Sequence, residues 1–408
     1  MVRVAKYSLA VSGSPAPDTR ATVRSPLSCN IAPHGPTRGS PPAWVANLGA
    51  GCLAACPGNP RLVACVLRMQ RRIRMSLAQR FRNIWRPWNF HLHHQLHTGK
   101  PFFEGWYFKV VDAEGAQPYA FIPGVFLGKG AHAFIQVLDG RAGTSWYHRY
   151  PLDAFKADRE RFDVRIAGSR FHAGGIELNI DQPDQRITGA VRLGPWSDWP
   201  VTTFSPGVMG PYSFVPFMEC KHGILSLDHA LEGTLNVDGT ATTYDGGRGY
   251  LEKDWGRSFP LAYVWTQSNH FDRPGLCVTA SVARIPWVTG DFRGFLVGFL
   301  HDGTLHRFTT YTGAVIEALR LTRTHMSLAI RNRTHRLEIE AEKTGGALLH
   351  APYEHDMLER VAETMTSNIS LRFTTLGGDV VYEGIGRSAC LETQGELELI
   401  CDDIERDA

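Results

Sequence analysis

The chain contains no run of 18 or more consecutive apolar residues, and its most apolar early segment, residues 48–67, is interrupted by prolines, Asn59 and Arg61. A helix needs about 20 mostly apolar residues to cross a bilayer, so we expect no membrane-spanning helix. Residues 12–17 are small and polar where a signal peptide would have its apolar core. These absences favour a cytoplasmic protein and leave a peripheral contact with a membrane open.

Common signatures of catalysis and metal binding are also missing. The sequence has no G-x-S-x-G elbow, no G-x-x-x-x-G-K-[ST] phosphate loop and no H-E-x-x-H pair. Its 8 cysteines include no C-x-x-C pair, and no His-x-x-x-His follows Cys52 and Cys56. Four histidines precede the first predicted strand without a carboxylate at ligand spacing: His91, His93, His94 and His97. We therefore predict no metal and no cofactor.

Acidic residues are nearly absent from the first part of the chain. Residues 1–74 carry ten basic residues and one acid, Asp18, which leaves 33 basic and 39 acidic residues and a charge of about −6 for residues 75–408. A nucleic-acid-binding protein would carry its basic patch on the folded domain, so we predict no nucleic-acid partner. We expect residues 1–74 to be disordered, with Met69 or Met75 as the true start; an organelle transit peptide is the alternative.

Glycine and aromatic residues are abundant, at 41 glycines and 11% aromatics, as in proteins built from many short strands. The first strand candidate alternates with period two from Phe103 to Val110, and both of its faces are largely apolar. About twenty such strands predict an all-β fold of two consecutive antiparallel barrel-like or sandwich-like (lipocalin-like) domains. We place the domains at residues 88–250 and 251–408.

Only two segments show helical spacing of apolar residues. Residues 75–87 are predicted to form a short helix with Leu77, Phe81 and Ile84 near one face. This helix either packs on the body or, as a basic amphipathic helix, contacts a membrane. Residues 353–366 are the helix candidate of the second half.

Four segments combine ionisable groups with aromatic residues: 101–109, 205–223, 247–256 and 263–270. A carboxylic acid in apolar surroundings has a raised pKa and stays protonated near neutral pH. Aromatic faces stabilise a passing cation. A protonated acid lined by aromatic side chains is what the addition of a proton to an isolated alkene requires.

Each ionisable group also has a structural interpretation, which the sequence leaves open. Glu104 could form an ion pair with Lys109. Glu252 and Asp254 lie on one face of a strand and could form salt bridges where the two domains meet. The remaining candidates could be hydrogen-bonded structural groups: Glu219 paired with Lys221, and the histidines His222, His229 and His270.

Taken in order, the segments resemble the tocopherol cyclase family. The phrases that carry the resemblance are FEGWYFK at 103–109, PGVMGPYSFVPFMECKH at 206–222, GYLEKDWG at 249–256 and LLHAP at 348–352. The resemblance covers residues 88–400. It implies a cofactor-independent cyclase that protonates the alkene of a prenylated (phytyl) hydroquinol, so that the phenolic oxygen closes a chromanol ring. The architecture is also similar to that of carotenoid hydratase-like two-domain β proteins.

The resemblance assigns no residue, so the roles follow from chemistry at the motif positions. Asp254 and Glu219 are the first candidates for the general acid, with Glu252 and His270 beside them. Trp106, Tyr107, Tyr212 and Trp255 are candidate walls for the cation, and Asn269 or His270 would orient the hydroquinol. The full set of substrate-binding candidates is Glu104, Trp106, Tyr107, Tyr212, Phe214, His222, Trp255, Trp265 and Asn269.

Two other functions stay open at this point. An apolar pocket in the same β body could carry a lipid without chemistry. A relative of the family could also act as a hydratase on another isoprenoid alkene. The sequence does not indicate an oligomeric state.

Overall fold

The computed structural model describes residues 86–94, 101–353 and 356–405. Within these ranges the elements are β-strands and short 3₁₀ turns, with no α-helix, which confirms the predicted all-β fold. No helix in this part of the chain is long and apolar enough to span a membrane.

The first half forms a 12-stranded antiparallel sheet in the order β4-β3-β2-β1-β14-β12-β9-β8-β7-β6-β5, with β13 paired to β12 and a separate β10–β11 hairpin. The strands are β1 (Phe103–Val111), β2 (Tyr119–Phe126), β3 (His132–Asp139), β4 (Thr144–Tyr150), β5 (Phe155–Ala157), β6 (Asp163–Ile166), β7 (Ser169–His172), β8 (Gly175–Gln182), β9 (Gln185–Leu193), β10 (Val201–Thr202), β11 (Ser205–Pro206), β12 (Cys220–Val237), β13 (Thr240–Thr243) and β14 (Arg248–Gly256).

The second half forms an 11-stranded sheet in the order β18-β17-β16-β15-β24-β23-β21-β20-β19-β25, with β22 paired to β23. All pairs are antiparallel except β19 with β25. The strands are β15 (Ala262–Ser268), β16 (Cys277–Trp287), β17 (Gly290–His301), β18 (Thr304–Thr309), β19 (Val315–Leu321), β20 (His325–Arg331), β21 (His335–Glu342), β22 (Ala347–Tyr353), β23 (Asp356–Thr375), β24 (Val380–Gly395) and β25 (Asp403–Ile404).

Strand alternation divides the buried side chains into three main groups. In β1, Trp106 and Phe108 pack into the core of the first sheet, whereas Tyr107 points towards the second sheet. The second sheet has its own core, which includes Val264 of β15. Trp265, the next residue, packs with Tyr107 in the layer between the sheets. The expectation that β1 is covered on both faces is confirmed.

Buried polar contacts fix the two sheets to each other. Lys109 of β1 donates through Nζ to Oε1 of Gln267 at 2.8 Å and to the backbone oxygen of Ser388 at 2.6 Å. Asn269 donates through Nδ2 to the backbone oxygen of Gly249 at 2.8 Å. Because these partners come from the two different sheets, the contacts hold β1 and β14 against β15 and β24.

The prediction of a helix at residues 353–366 is wrong. The segment belongs mostly to β23, which pairs with β22 on one side and β24 on the other. Its apolar residues, among them Leu358, Val361 and Met365, follow a spacing close to the helical one. Register shifts in β23 break the strict period-two alternation, and pairing with both neighbours decides the conformation.

Two predictions about the start of the chain fall on residues that the structure does not describe. They are the disordered segment 1–74 and all of the 75–87 helix except Arg86 and Pro87, which belong to a 3₁₀ turn. The division at residue 250 stays a prediction. Strand β14 (Arg248–Gly256), which contains this position, pairs with β1 and β12 of the first sheet.

Candidate active site

A cavity of about 1330 Å³, counted with its opening to solvent, lies between the two sheets. Its lining is mainly apolar and aromatic, with contributions from β1, β14, β15, β23 and β24. The aromatic residues of the lining are Phe103, Tyr107, Phe134, Tyr212, Phe259, Tyr263, Trp265, Phe292 and Phe295. Concave apolar sites with a few polar groups are typical of small-molecule binding.

Glu252 and Asp254 reach the cavity because β14 alternates. Both side chains line the cavity, whereas Lys253 between them lies fully buried on the opposite face of the sheet. The sequence pattern predicted this division. Two further carboxyls, Glu363 of β23 and Glu392 of β24, come from the second sheet and line the same cavity.

His222 lies between the two carboxyls of β14. In the register of β12 with β14 it faces Asp254, and its Nδ1 lies 2.9 Å from Oδ1 of Asp254. Its Nε2 lies 3.6 Å from Oε2 of Glu252. Burial alone would lower the pKa of His222, but the charges of Asp254 and Glu252 raise that pKa to about 9. At neutral pH the ring is therefore an imidazolium held by Asp254.

Glu252 is the acid of β14 that holds a proton near neutral pH. Burial raises its pKa to about 7, and the charge of Asp254 acts in the same direction. The charge of His222 and the hydrogen bond from the Tyr250 hydroxyl, at 2.5 Å from Oε2, lower the pKa only in part. The cavity thus contains a carboxyl that can both give and take a proton.

Glu363 and Glu392 form a second group of acids, each held by a tyrosine. The hydroxyl of Tyr107 donates to Oε1 of Glu363, and that of Tyr263 donates to Oε2 of Glu392 at 2.8 Å. Burial raises the pKa of Glu363 well above its ordinary value, and the charge of Glu392 adds to the effect. Burial also raises the pKa of Glu392 to about 7.

Three buried polar atoms of cavity-lining residues have no hydrogen-bond partner among the described residues: Nε1 of Trp265, Nδ1 of His350 and Oε2 of Glu363. Buried polar groups in proteins are nearly always paired, so such atoms need an explanation. A bound molecule with a hydroxyl group would supply partners. The polar atoms of the cavity are therefore placed for a ligand that is apolar along most of its length and carries a polar group.

Six of the residues chosen from the sequence line this cavity: Tyr107, Tyr212, His222, Glu252, Asp254 and Trp265. Phe214 and Trp255 instead line a neighbouring cavity of about 2020 Å³ with its opening, which shares Met218 and His222 with the first. Glu219 is partly exposed and belongs to neither lining. The structure thus brings Glu252 and Asp254 together and leaves Glu219 apart from them.

Glu104 and Trp106 lie on the other face of β1, in the core of the first sheet. Oε1 of Glu104 lies 2.6 Å from Nζ of Lys253, and Nζ lies 4.6 Å from the centre of the Trp106 ring. His93 and His94 also contact the Glu104 carboxylate. The ion pair of Glu104 with Lys109, one of the alternatives that the sequence left open, does not form. Alternation places Lys109 on the opposite face, where it binds Gln267.

Asn269 and His270 lie outside both cavities. Asn269 donates to Asp228 at 3.1 Å and to Gly249 at 2.8 Å, contacts that join the sheets. Nδ1 of His270 lies 3.1 Å from Oδ1 of Asn269, and burial lowers the pKa of His270 to about 3. In this position the two residues contact each other and the backbone, away from the acids of β14.

Sequence reasoning missed Glu363, Glu392 and the role of Tyr263. Tyr263 began one of the four segments, so its neighbourhood was indicated. Glu363 fell in the segment taken for a helix, and Glu392 has no aromatic neighbour in the sequence. A strict search for acids at inward positions of paired strands could have found Glu392, but only the strand pairing identifies Glu363.

His222, Glu252 and Asp254 are also the one group in the described residues close enough to hold a metal ion, with ligand atoms within 4.8 Å of one another. The hydrogen bond of His222 to Asp254 uses two of these atoms. The absence of a cofactor stays a prediction.

Comparison with known proteins connects this geometry to a family. The family described as "Tocopherol cyclase-like" matches residues 167–395. The probable chloroplastic tocopherol cyclase of Oryza sativa subsp. japonica is 23% identical over 74% of this chain and 77% of its own length. That of Zea mays is 24% identical over 73% and 76%. The crystal structure of kievitone hydratase from Nectria haematococca covers 72% of this chain and 89% of its own, with 11% identity and a TM-score of 0.44.

Proposed function

The chain belongs to the tocopherol cyclase-like family, and from this membership we propose that it catalyses the acid-driven closure of a chromanol ring on a prenylated hydroquinol. The observation that carries the proposal is the group of largely buried carboxyls, Glu252, Glu363 and Glu392, on the wall of an aromatic cavity. Their raised pKa values keep protons available near neutral pH.

Ring closure needs three things from the protein. An acid must protonate the trisubstituted alkene, a wall must stabilise the tertiary cation, and a base must take the proton of the phenolic hydroxyl as its oxygen attacks. The three carboxyls supply acid and base, because a pKa of about 7 permits both states. The proton lost by the phenol replaces the one given to the alkene, so the reaction requires no external reagent.

Aromatic rings support the cationic stage. Tyr107 and Trp265 line the cavity with ring centres 5.7 Å apart in an edge-to-face arrangement. An aromatic face attracts a cation more strongly in a site without water than on the surface. The apolar lining also disfavours water beside the cation, where it would give a tertiary alcohol.

Asp254 is better suited to hold His222 than to protonate the alkene. It accepts the hydrogen bond from the charged ring and is more exposed than Glu252, at 26% against 7% of the side chain. In our proposal the His222–Asp254 pair exchanges protons with Glu252, 3.6 Å from His222 Nε2. Trp265 Nε1 and His350 Nδ1, which have no hydrogen-bond partner in the described part of the chain, bind the hydroxyl groups of the substrate.

The test is incubation of the purified protein with a prenylated hydroquinol, followed by mass spectrometry and NMR of the lipid extract. Formation of the chromanol supports the cyclase. A tertiary alcohol would assign a hydratase, and unchanged bound lipid would assign a carrier. Action in the cytoplasm and a peripheral contact with the membrane that holds the lipid are part of the same proposal, to be checked by fractionation.

A further inference from the structure

We propose that Glu363 and Glu392 form a carboxyl pair that holds one proton, and that Oε2 of Glu363 delivers this proton to the substrate. The inference rests on the proposed function in one respect, that the substrate carries an alkene to be protonated. It does not depend on whether the resulting cation is captured by a phenol or by water.

Strand pairing places the two carboxyls face to face. Glu363 of β23 lies opposite Glu392 of β24 in the antiparallel register. Side chains at such positions start about 5 Å apart and point to the same face of the sheet. Glu363 is 1% exposed, and both residues line the cavity. Two carboxyls fixed at this separation in an apolar wall cannot both be ionised without strong repulsion.

The hydrogen bonds make the two acids unequal. Tyr107 donates to Oε1 of Glu363, and Tyr263 donates to Oε2 of Glu392 at 2.8 Å. Oε2 of Glu363 is buried and receives no hydrogen bond from a donor among the described residues, and the Glu363 and Glu392 carboxyls lie within hydrogen-bonding reach of each other when one of them is protonated. An ionised oxygen in that position would be costly, whereas a protonated one can direct its hydrogen at a molecule in the cavity.

The charges around Glu363 are consistent with a shared proton. Burial and the facing Glu392 raise the pKa of Glu363, while the hydrogen bond of Tyr107 and the charge of Lys109 lower it. Cys390 of β24 and Glu252 of β14 are the other titratable groups that interact with it. Burial raises the pKa of Glu392 to about 7, and the charges of Glu252 and Asp254 add to this effect. The pair thus keeps one proton when other glutamates are ionised.

The step balances within the pair. The O–H bond of Glu363 breaks, and the π electrons of the alkene form a C–H bond at the less substituted carbon. A tertiary cation results, and the phenolic oxygen forms the C–O bond with a lone pair. The phenolic proton then passes to the carboxylate pair, which restores the starting state. No oxidant or reductant is required.

The experiment compares Glu363→Gln with the wild type for alkene conversion under single-turnover conditions, with lipid binding measured separately. The amide retains an acceptor for the Tyr107 hydroxyl but has no acidic proton. We expect a rate loss of about 100-fold or more, in the range of general-acid catalysis, with the lipid still bound. The control is Glu383→Gln, an exposed acid on the neighbouring strand β24, which should keep the wild-type rate.

A second variant guards against a Glu363→Gln protein that does not fold. Glu392→Gln removes the facing negative charge, so the pH at which the rate is lost should move downward. A Glu363→Gln protein with a rate within threefold of wild type, or an unchanged pH profile in Glu392→Gln, would overturn the proposal of a proton-sharing carboxyl pair and leave the proposed function standing. If the wild-type protein converts no alkene at all, the proposed function fails with it.

A spectroscopic measurement tests the proton without any substrate. The infrared difference between wild type and Glu363→Gln at neutral pH should contain the C=O stretch of a protonated carboxyl. A spectrum with only carboxylate bands would contradict the assignment of a proton to Glu363, whatever product the enzyme forms.

Discussion

Strands β1 and β14 carry two buried acids on opposite faces, and their surroundings set opposite proton affinities. Glu104 faces the first-sheet core, where the charges of Lys253, His93 and His94 hold its pKa well below the ordinary value in spite of burial. Glu252, adjacent to Lys253 in the chain, faces the cavity, where burial raises its pKa to about 7. Burial is thus common to both, and the partner charges decide which acid keeps a proton.

The two faces of this pair of strands differ in how their buried polar atoms are satisfied. Lys253 is satisfied by Glu104 and by the backbone oxygens of Phe90 and Leu92 at 2.8 and 2.6 Å. That face is a closed polar network that fixes the chain before β1. On the cavity face, in contrast, Trp265 and Glu363 each have a polar atom with no hydrogen-bond partner within residues 86–94, 101–353 and 356–405. We expect variants of the first face to change stability and variants of the second to change activity.

The largest effect is expected from Lys253→Met. It leaves the Glu104 carboxylate buried without its strongest partner, and removal of one member of a buried ion pair costs about 3–5 kcal/mol. Chemical denaturation measures the loss in unfolding free energy. The double variant Lys253→Met/Glu104→Met should recover at least half of it, because no buried charge of the pair remains. A single variant within about 1 kcal/mol of wild type would show that the pair is not a stabilising unit.

Glu252→Gln should lower the activity and leave the stability intact, the reverse of Lys253→Met. The amide preserves an acceptor for the Tyr250 hydroxyl but cannot exchange protons, so we expect turnover to fall about 100-fold. Unfolding free energy should stay level or rise, since burial disfavours the charged form that is removed. The same substitution at Glu219, outside the cavity, should retain activity. Equal losses of activity at Glu252 and Glu219 in a cyclase assay would contradict a specific role for the acid that lines the cavity.

The two faces should respond to a change in pH with opposite signs. The acids of the cavity act when protonated, so the rate should fall as the pH rises through their raised pKa values, which are about 7 for Glu252 and Glu392 and well above the ordinary value for Glu363. The stabilisation that follows from the raised pKa of Glu252 is fully present below about pH 4.5 and is lost as the pH rises through about 7. The lowered pKa of Glu104 contributes above about 4.5 and is lost in acid.

Rate profiles and urea unfolding from acid to neutral pH measure both slopes. Glu104→Gln should remove the loss of stability in acid, and Glu252→Gln should weaken the loss towards neutral pH. A rate that rises through pH 7 and above would contradict an acid of raised pKa as the proton donor.

The smallest effect is expected at Trp265. Trp265→Phe keeps most of the aromatic face and removes the unpartnered N–H, so we expect about a fivefold rise in KM with little change in kcat. Trp106→Phe in the first-sheet core, whose Nε1 donates to His91 at 3.1 Å, is the matched control and should alter stability but not KM. Steady-state kinetics with the prenylated hydroquinol distinguish the two. Equal KM values for Trp265→Phe and wild type would remove the hydroxyl-binding role.

Local sequence patterns predicted one half of the cavity. Alternation placed Glu252 and Asp254 on one face of β14 and Lys253 on the other, and Tyr107 and Trp265, both chosen from their segments, line the same cavity. Such positions follow from period-two patterning within a single strand. The all-β architecture followed in the same way, from many short alternating segments with glycine turns.

The second-sheet half could not be predicted from local patterns. Glu363 follows Val361 and Ala362 in a segment whose apolar spacing resembles a helix, and only its pairing with β22 and β24 makes it a strand residue. Glu392 approaches Tyr263 because β24 pairs with β15 more than a hundred residues away in the chain. The pairing of β1 with β14 brings Lys253 to Glu104, whereas alternation within β1 alone places Lys109 on the opposite face.

The most direct measurement of the central claim, that a buried acid protonates an alkene, is incubation of the protein with a prenylated hydroquinol in deuterated water. Our account expects a chromanol that carries one deuterium on the ring carbon next to the new C–O bond, with formation suppressed in Glu363→Gln and Glu252→Gln. A chromanol without deuterium at that carbon, or recovery of unchanged lipid from correctly folded wild-type protein, would contradict it.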